Sequence, residues 1–261
     1  YLPADFERRL QDPSRRAAQL LVDGSDPTIL NVARQLLSLP APATAGTDHP
    51  VFELRNYYNP ERRSAVQIVP ALIGVILTMT MVLFTAVAIV RERERGNLEL
   101  LITTPVTTLE LMAGKLLPYI AIGLVQVTIV LLVGQWLFGV PFRGQLGDLY
   151  IAALVFIAAS LTLGLLISTV ARSQFQAMQL TLFVFLPSIL LSGFMFPFDG
   201  MPVAAQRIAE VLPLTHFVRL VRGIVLRGAD VQELMGEIYA LLAFFAVAMS
   251  LAILRFRKRL D

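Results

Sequence analysis

The side chains able to do chemistry are few, and almost all lie outside the long apolar runs of the chain. There is no cysteine, which removes disulfides, thiolate nucleophiles and cysteine-based metal sites together. The two histidines, His49 and His216, are far apart, and neither has a second ligand at metal spacing. The acidic stretch from Asp23 to Asp26 could be taken for a metal loop, but a capped turn explains it better: Asp26 before Pro27 is an N-cap followed by proline at the first helical position. No G-x-x-x-x-G-K-[ST] phosphate loop occurs, so the chain has no Walker-type ATP site. Three groupings remain. One is the charged run from Arg91 through Gly96, with the apolar and hydroxyl residues that follow it to Pro105. Another is His216, Arg219 and Arg222, spaced by three so that they share a helical face. The third is Ser160, Gly164 and Ser168, small residues at a spacing that lets two helices approach closely. Packing within the subunit and a seam between subunits are both open to that series.

The elements that position these groups are built for lipid. The 261 residues are 56% hydrophobic and 16% charged, well below the roughly 25% charge of soluble domains, and the mean hydropathy is +0.68. Val66 to Val90 carries no ionisable side chain over 25 residues, a helix about 37 Å long at ~1.5 Å per residue. That crosses a hydrocarbon core of ~30 Å with some tilt. Four further runs follow, at 116–138, 149–171, 175–196 and 238–254, so five spans are expected. None contains Asp, Glu, Lys, Arg or His. Ion-coupled carriers place such groups inside the bilayer as relays or ligands, which argues against ion coupling, although backbone carbonyls can still bind sodium. An intramembrane enzyme would lack its catalytic groups. Any transport must draw its energy from a partner.

Residues 1–64 alone have ordinary soluble composition. Ala18 to Val22 reads as a short strand and Asp23-Gly24-Ser25 as a turn. Ile29, Val32, Ala33, Leu36 and Leu37 repeat at helical spacing, and Val51 to Tyr57 reads as a second strand. Strand, helix, strand in that order favours a small α/β unit, which divides the chain into 1–64 and a transmembrane domain, 65–261.

Charge sets the orientation. The pI is about 9.5 but the formal charge is only +3, and the basic residues gather at helix ends, which fits membrane topology and not nucleic acid. Arg91, Arg93, Arg95 and Lys115 flank the first loop, Arg172 lies in the loop after the third span, and Arg255, Arg257, Lys258 and Arg259 follow the last. With five spans all fall on one side, and the positive-inside rule makes that side cytoplasmic and residues 1–64 extracytoplasmic. Arg62, Arg63, Arg207, Arg219, Arg222 and Arg227 run against the rule.

In the loop 91–115, alternating charges extend the first span into water and stop at Gly96, a natural terminator. Leu98, Leu101 and Ile102 then form the apolar edge of a short amphipathic segment that Pro105 ends. Thr107 with Glu110 is a capping box that starts the second span. Physics alone leaves two readings open: an interfacial connector, or a lever pushed by a cytoplasmic protein. Beyond the fourth span, Phe194, Phe196 and Phe198 beside Pro197 are too interrupted for a span and too apolar for a free loop. The basic face of His216, Arg219 and Arg222 then fits either a headgroup anchor or an exit gate.

The stretch E-R-E-R-G-N-L-E-L-L-I-T-T-P-V followed by L-E-L-M-A-G-K-L-L-P-Y resembles the E-x-G-T-L-E-x-L-x-x-T-P loop of ABC-2 type permeases, the membrane subunits of bacterial ATP-driven exporters. Asn97 stands where threonine is common. S-G-F-M-F-P-F-D-G-M-P at 192–202, L-P-L-T-H-F-V-R-L-V-R-G-I at 212–224, and the front segments L-P-A-D-F and L-V-D-G-S-D-P extend the resemblance over nearly the whole chain. It implies an α-helical polytopic membrane protein, an ABC-2 or type V exporter-like bundle, with a small α/β extracytoplasmic domain. It implies that Glu92, Glu94, Gly96, Leu98, Glu99, Ile102, Thr103, Thr104 and Pro105 form a coupling helix seated in a cytoplasmic ABC ATPase subunit, with Arg172 and Gln174 in the loop 172–175 as a weaker second contact. ATP and Mg would be held by that partner, and this chain would hold no cofactor. The region 197–237 would dip back into the membrane as broken helices, with Phe194, Phe196, Pro197, His216, Arg219 and Arg222 as a candidate gate.

The resemblance further implies a pathway enclosed by two permease subunits, identical or paralogous, a bacterial cytoplasmic membrane location and, in some envelopes, a periplasmic adaptor docked on 1–64. Six spans are the family pattern, with the extracytoplasmic domain after the first. No signal peptide leads the chain, so a further span before Tyr1 is expected. The alternative to a permease is a membrane receptor whose front domain binds a ligand and signals through the first loop.

Overall fold

The computed structural model describes residues 18–23, 33, 35, 52–57, 63–96 and 108–257. The chain divides into two compact units, Tyr1–Gln67 and Ile68–Asp261. In the first, β1 (Ala18–Asp23) pairs in parallel with β2 (Phe52–Tyr57), Ala18 opposite Phe52 and Asp23 opposite Tyr57. Parallel neighbours need a crossover between them. Ala33 is helical there and buried against Val22 and Leu20. Gln35 is helical as well, while Ile29, Val32, Leu36 and Leu37 lie outside the described residues.

The second unit is a bundle of long helices: α1 (Ser64–Glu94), α2 (Thr108–Phe138), α3 (Leu146–Val170), α4 (Gln174–Leu191) and, after two short helices, a last long one. The short helices are α5 (Val203–Ala209) and α6 (Pro213–Arg222), and the last is α7 (Met235–Arg257). Among the described residues, five helices are long and apolar enough to cross a membrane, matching the five expected runs. The chain is a multi-pass membrane protein.

Burial ranks the long helices. The apolar run of α3 is 67% buried and that of α1 50%, against 11% for α2, 17% for α4 and 22% for the last span, so α3 is the hub, α1 packs closest after it, and the other three present a face outward. Small residues set the closest approaches around it. A Cβ at Gly164 would meet the Val82 carbonyl oxygen at 2.7 Å, and one at Gly123 would meet Ile157 Cδ1 at 2.8 Å. Across the antiparallel α1–α2 pair, Thr80 Oγ1 donates to Gln126 Oε1 at 2.9 Å, and a Cβ at Gly134 would meet Val69 Cγ1 at 2.7 Å.

One boundary differs from expectation. The fourth span, expected to continue to Phe196, ends at Leu191, and Gly193 turns left-handed at φ 79°. The Phe194 N–H then donates to Ser192 Oγ at 3.3 Å. Hydropathy continues through this point, but the backbone cannot: a single glycine in the left-handed region ends the helix at little cost.

Candidate functional site

The two ends of the bundle carry the charged groups described here. At the first, α1 extends past its apolar run to Glu94, and Gly96 terminates it with φ 71°. The Gly96 N–H donates to the Arg93 carbonyl at 3.2 Å. This places two consecutive side chains of opposite charge over the tight loop between α3 and α4. The Arg93 guanidinium donates to the carbonyl of Ser168 at 3.1 Å and to that of Ala171, oxygens at the negative end of α3. Glu94 takes the other side. Its Oε1 accepts from the Gln174 backbone N–H at 2.9 Å and its Oε2 from the Gln174 amide at 2.5 Å. Gln174 is the first residue of α4 and Ser173 is its N-cap, accepting from the Gln176 N–H at 3.2 Å. A carboxylate here meets the positive end of that helix dipole. One turn of α1 thus caps the end of one helix and the start of the next.

Glu92, Glu94, Gly96, Arg172 and Gln174 are therefore gathered at one end, with Arg172 and Glu94 at the surface. The structure joins Glu94 and Gln174 to each other. Among the described residues, this pair ties the stem of the first loop to the start of α4. Leu98, Glu99, Ile102, Thr103, Thr104 and Pro105 lie outside the described residues, and α2 begins at Thr108, directly after the expected cap Thr107.

At the opposite end, the region 197–237 is a series of short pieces. They are a 3-10 turn Phe198–Gly200, α5, α6, a π turn Gly223–Arg227 and a 3-10 turn Val231–Leu234. Within this series α6 is buried nearly all round. Phe217 stacks on Phe156 with ring centroids 4.1 Å apart, and its Cδ1 lies 2.7 Å from where a Cβ on Gly74 would sit. Phe156 and Gly74 are each ten residues into their helices, about 15 Å deep at ~1.5 Å per residue. The segment re-enters the bundle instead of lying across its end.

The basic face of α6 finds protein partners. His216 Nδ1 is 2.5 Å from Glu237 Oε2, and its Nε2 is 2.9 Å from the Glu210 carbonyl oxygen. Arg219 donates to Glu237 Oε1 at 3.3 Å and stacks over the Phe198 ring at 4.4 Å. Arg222 donates to the Gly193 carbonyl at 3.1 Å. Burial of His216 and, to a lesser degree, the nearby Arg219 charge act to lower its pKa, but the hydrogen bonds to Glu237 and Glu210 and the Glu237 charge outweigh them, leaving the pKa above its ordinary value. Phe196 is exposed, while Phe194 and Pro197 are half-buried in the turn beyond α4.

In α3, Ser160, Gly164 and Ser168 are all buried. Gly164 lies against α1, where its Cβ would also come within 2.8 Å of Thr85 Cβ. No group of three His, Cys, Asp or Glu among the described residues is placed to hold a metal ion.

A profile of the family described as ABC-2 family transporter protein matches residues 1–254. The chain belongs to the ABC-2 transporter family. Its relatives include two Escherichia coli proteins described as probable multidrug ABC transporter permeases. YbhS is 32% identical over all of this chain and 72% of its own length, and YbhR is 32% identical over 98% of this chain and 72% of its own length. ABC transporter G family member 20 of Dictyostelium discoideum is 30% identical over 66% of this chain and 24% of its own length. Membership decides for a permease over the receptor alternative, and an ABC permease pairs with an ATP-binding subunit.

Several groups that shape this ABC-2 permease were not evident as partners. Arg93 was legible within the charged run 91–95 and Ser173 within the loop 172–175, but their capping roles follow from where α1 ends relative to the α3–α4 loop. Glu237 sits 21 residues from His216 in sequence, a separation that no local periodicity connects. Gly193 had a readable signal in its type, but the apolar residues on both sides masked it.

Proposed function

We propose that this permease forms the translocation pathway of a bacterial ABC exporter, together with a second copy or a paralogue in the cytoplasmic membrane. A separate ATP-binding subunit, which holds ATP and Mg, drives it from the end that carries Arg93. That end is then cytoplasmic with the C-terminus, and residues 1–64 are extracytoplasmic and available to a periplasmic adaptor. This chain contributes no ATPase chemistry and no cofactor. The relatives described as multidrug permeases support amphipathic organic cargo.

The observation that carries the coupling reading is the double cap by Arg93 and Glu94. It fixes the loop before α4 to the stem of the loop 91–115, so a push on either loop is delivered to α1, α3 and α4 together. Leu98 and Ile102 would fill an apolar pocket of the ATP-binding subunit, with Glu92, Glu99 and the hydroxyls of Thr103 and Thr104 toward its polar rim. Gly96 and Pro105 would bound that segment.

The test is co-expression with an ATP-binding subunit, reading co-purification, ATP hydrolysis and export. Gly96→Pro, which forbids the left-handed φ, and Glu99→Arg are expected to abolish export while membrane insertion is kept. Glu94→Arg, which puts a cation at the N-terminus of α4, is expected to uncouple hydrolysis from export. Normal coupled export by all three variants overturns the reading.

A further inference from the structure

The coupling at the Arg93 end makes no use of the imidazole at the far end of the bundle, yet its surroundings are specific. His216 has a hydrogen-bond partner at each ring nitrogen. The partner of Nε2 is a backbone carbonyl, which can only accept, so Nε2 must carry a hydrogen. The partner of Nδ1 is the Glu237 carboxylate, which the Arg219 guanidinium also contacts. Ionised, it too can only accept. The arrangement is complete only when both nitrogens carry hydrogens. A neutral ring would leave either a lone pair facing the Glu210 oxygen or an unmatched contact at Glu237.

The ring also bridges separate elements. Glu210 is the C-cap of α5, His216 lies in α6, and Glu237 lies in the first turn of α7. Apart from His216, Glu237 and the flanking Arg219 and Arg222, the charged side chains of this region are exposed or engaged elsewhere. Asp199, Arg207, Arg227, Asp230, Glu233 and the Glu210 carboxylate are exposed, and Asp148 of α3 accepts from the Val231 N–H at 3.3 Å. The apolar runs of α1 and α3 and the whole of α4 hold no Asp, Glu, Lys, Arg or His.

We propose that His216 is a protonation-dependent latch, closed when the imidazolium clamps the end of α5 to the start of α7, and opened by the loss of one proton, which releases α5 and the turn before it from α7. The sign follows from linkage. A histidine whose pKa is raised in the closed state contributes its full share below the ordinary value of about 6.5. That share is lost as the pH rises through the raised value. The latch therefore opens toward alkaline pH at whichever membrane face this end occupies. It acts within the single chain and does not depend on the transport reading, so either can fail alone.

The chain has two histidines, so His49→Gln leaves His216 as the sole imidazole. The full chain in detergent micelles, labelled with 15N-histidine, reports its protonation directly by NMR. Amide hydrogen exchange of residues 203–212, corrected for intrinsic rates, reports the opening. The expected result is an apparent pKa above the ordinary histidine value. Exchange is expected to rise by up to about tenfold per pH unit between the ordinary and raised values. In His216→Gln and Glu237→Gln that rise should be absent, with exchange already fast at pH about 6, just below the ordinary histidine value. Titration at or below the ordinary value overturns the latch, as does exchange of 203–212 that is flat with pH while His216 titrates. Should either variant fail to fold, the titration and exchange of the His49→Gln protein decide the matter.

Discussion

At the scale of single residues, the backbone-to-backbone approach of α1 and α3 is decided by what is missing. Gly164 has no Cβ, and one placed there would meet the Val82 backbone oxygen at 2.7 Å, an atom that no rotamer change can move. Gly164→Ala should force α1 from α3 and destabilise the fold by about 1–3 kcal/mol, read as a lowered thermal unfolding midpoint in detergent. Gly147→Ala is the control: nothing lies within 4 Å of its added methyl, and no loss is expected. Small-residue spacing made the series Ser160, Gly164, Ser168 legible in the sequence. Which helix it faces was not, because lipid, a neighbour in the same chain and a second subunit all favour the same residue types there.

Elements are where sequence and structure diverge most instructively. The five runs were readable because soluble helices seldom stay uncharged and apolar for long enough to cross a bilayer. The helix stop at Gly96 was readable because charge, glycine and a following amphipathic segment agree. The end of α4 was not: Ser192-Gly193-Phe194-Met195-Phe196 remains apolar, and hydropathy reports solvent preference but not φ. Gly193→Ala should cost about 1–2 kcal/mol through the left-handed backbone alone, since the nearest side-chain atom to the added Cβ is 3.9 Å away. An unchanged unfolding midpoint would show that the turn tolerates another conformation. The basic face of α6 was equally legible as a pattern, but its use was not, because its partners Glu237, Gly193 and Phe198 come from other segments.

At the scale of the whole bundle, α2, α4 and α7 turn apolar side chains outward. Leu132 of α2, Phe183 of α4 and Val247 of α7 are 58%, 67% and 60% exposed, while Phe156 of the hub is fully buried. These 261 residues contain no cysteine, so within them a single cysteine introduced at one of these positions has no competitor in cross-linking. A homodimer should give a cross-linked pair at one or more of the three outward positions and none at Phe156. Failure at all three in native membranes would count against a homodimer seam on these faces. The contact at Gly164 has a last consequence for motion. Helices pressed backbone to backbone cannot approach further there, and the contact offers a fulcrum about which they can tilt. Phe156 lies about 12 Å to one side of it and Val170 about 9 Å to the other, at ~1.5 Å per residue. Should α3 rock about that point as a rigid rod, a sideways step of about 1 Å beside the Arg93–Glu94 grip would swing the Phe156 ring the opposite way by about 1.3 Å, by the ratio of those two arms.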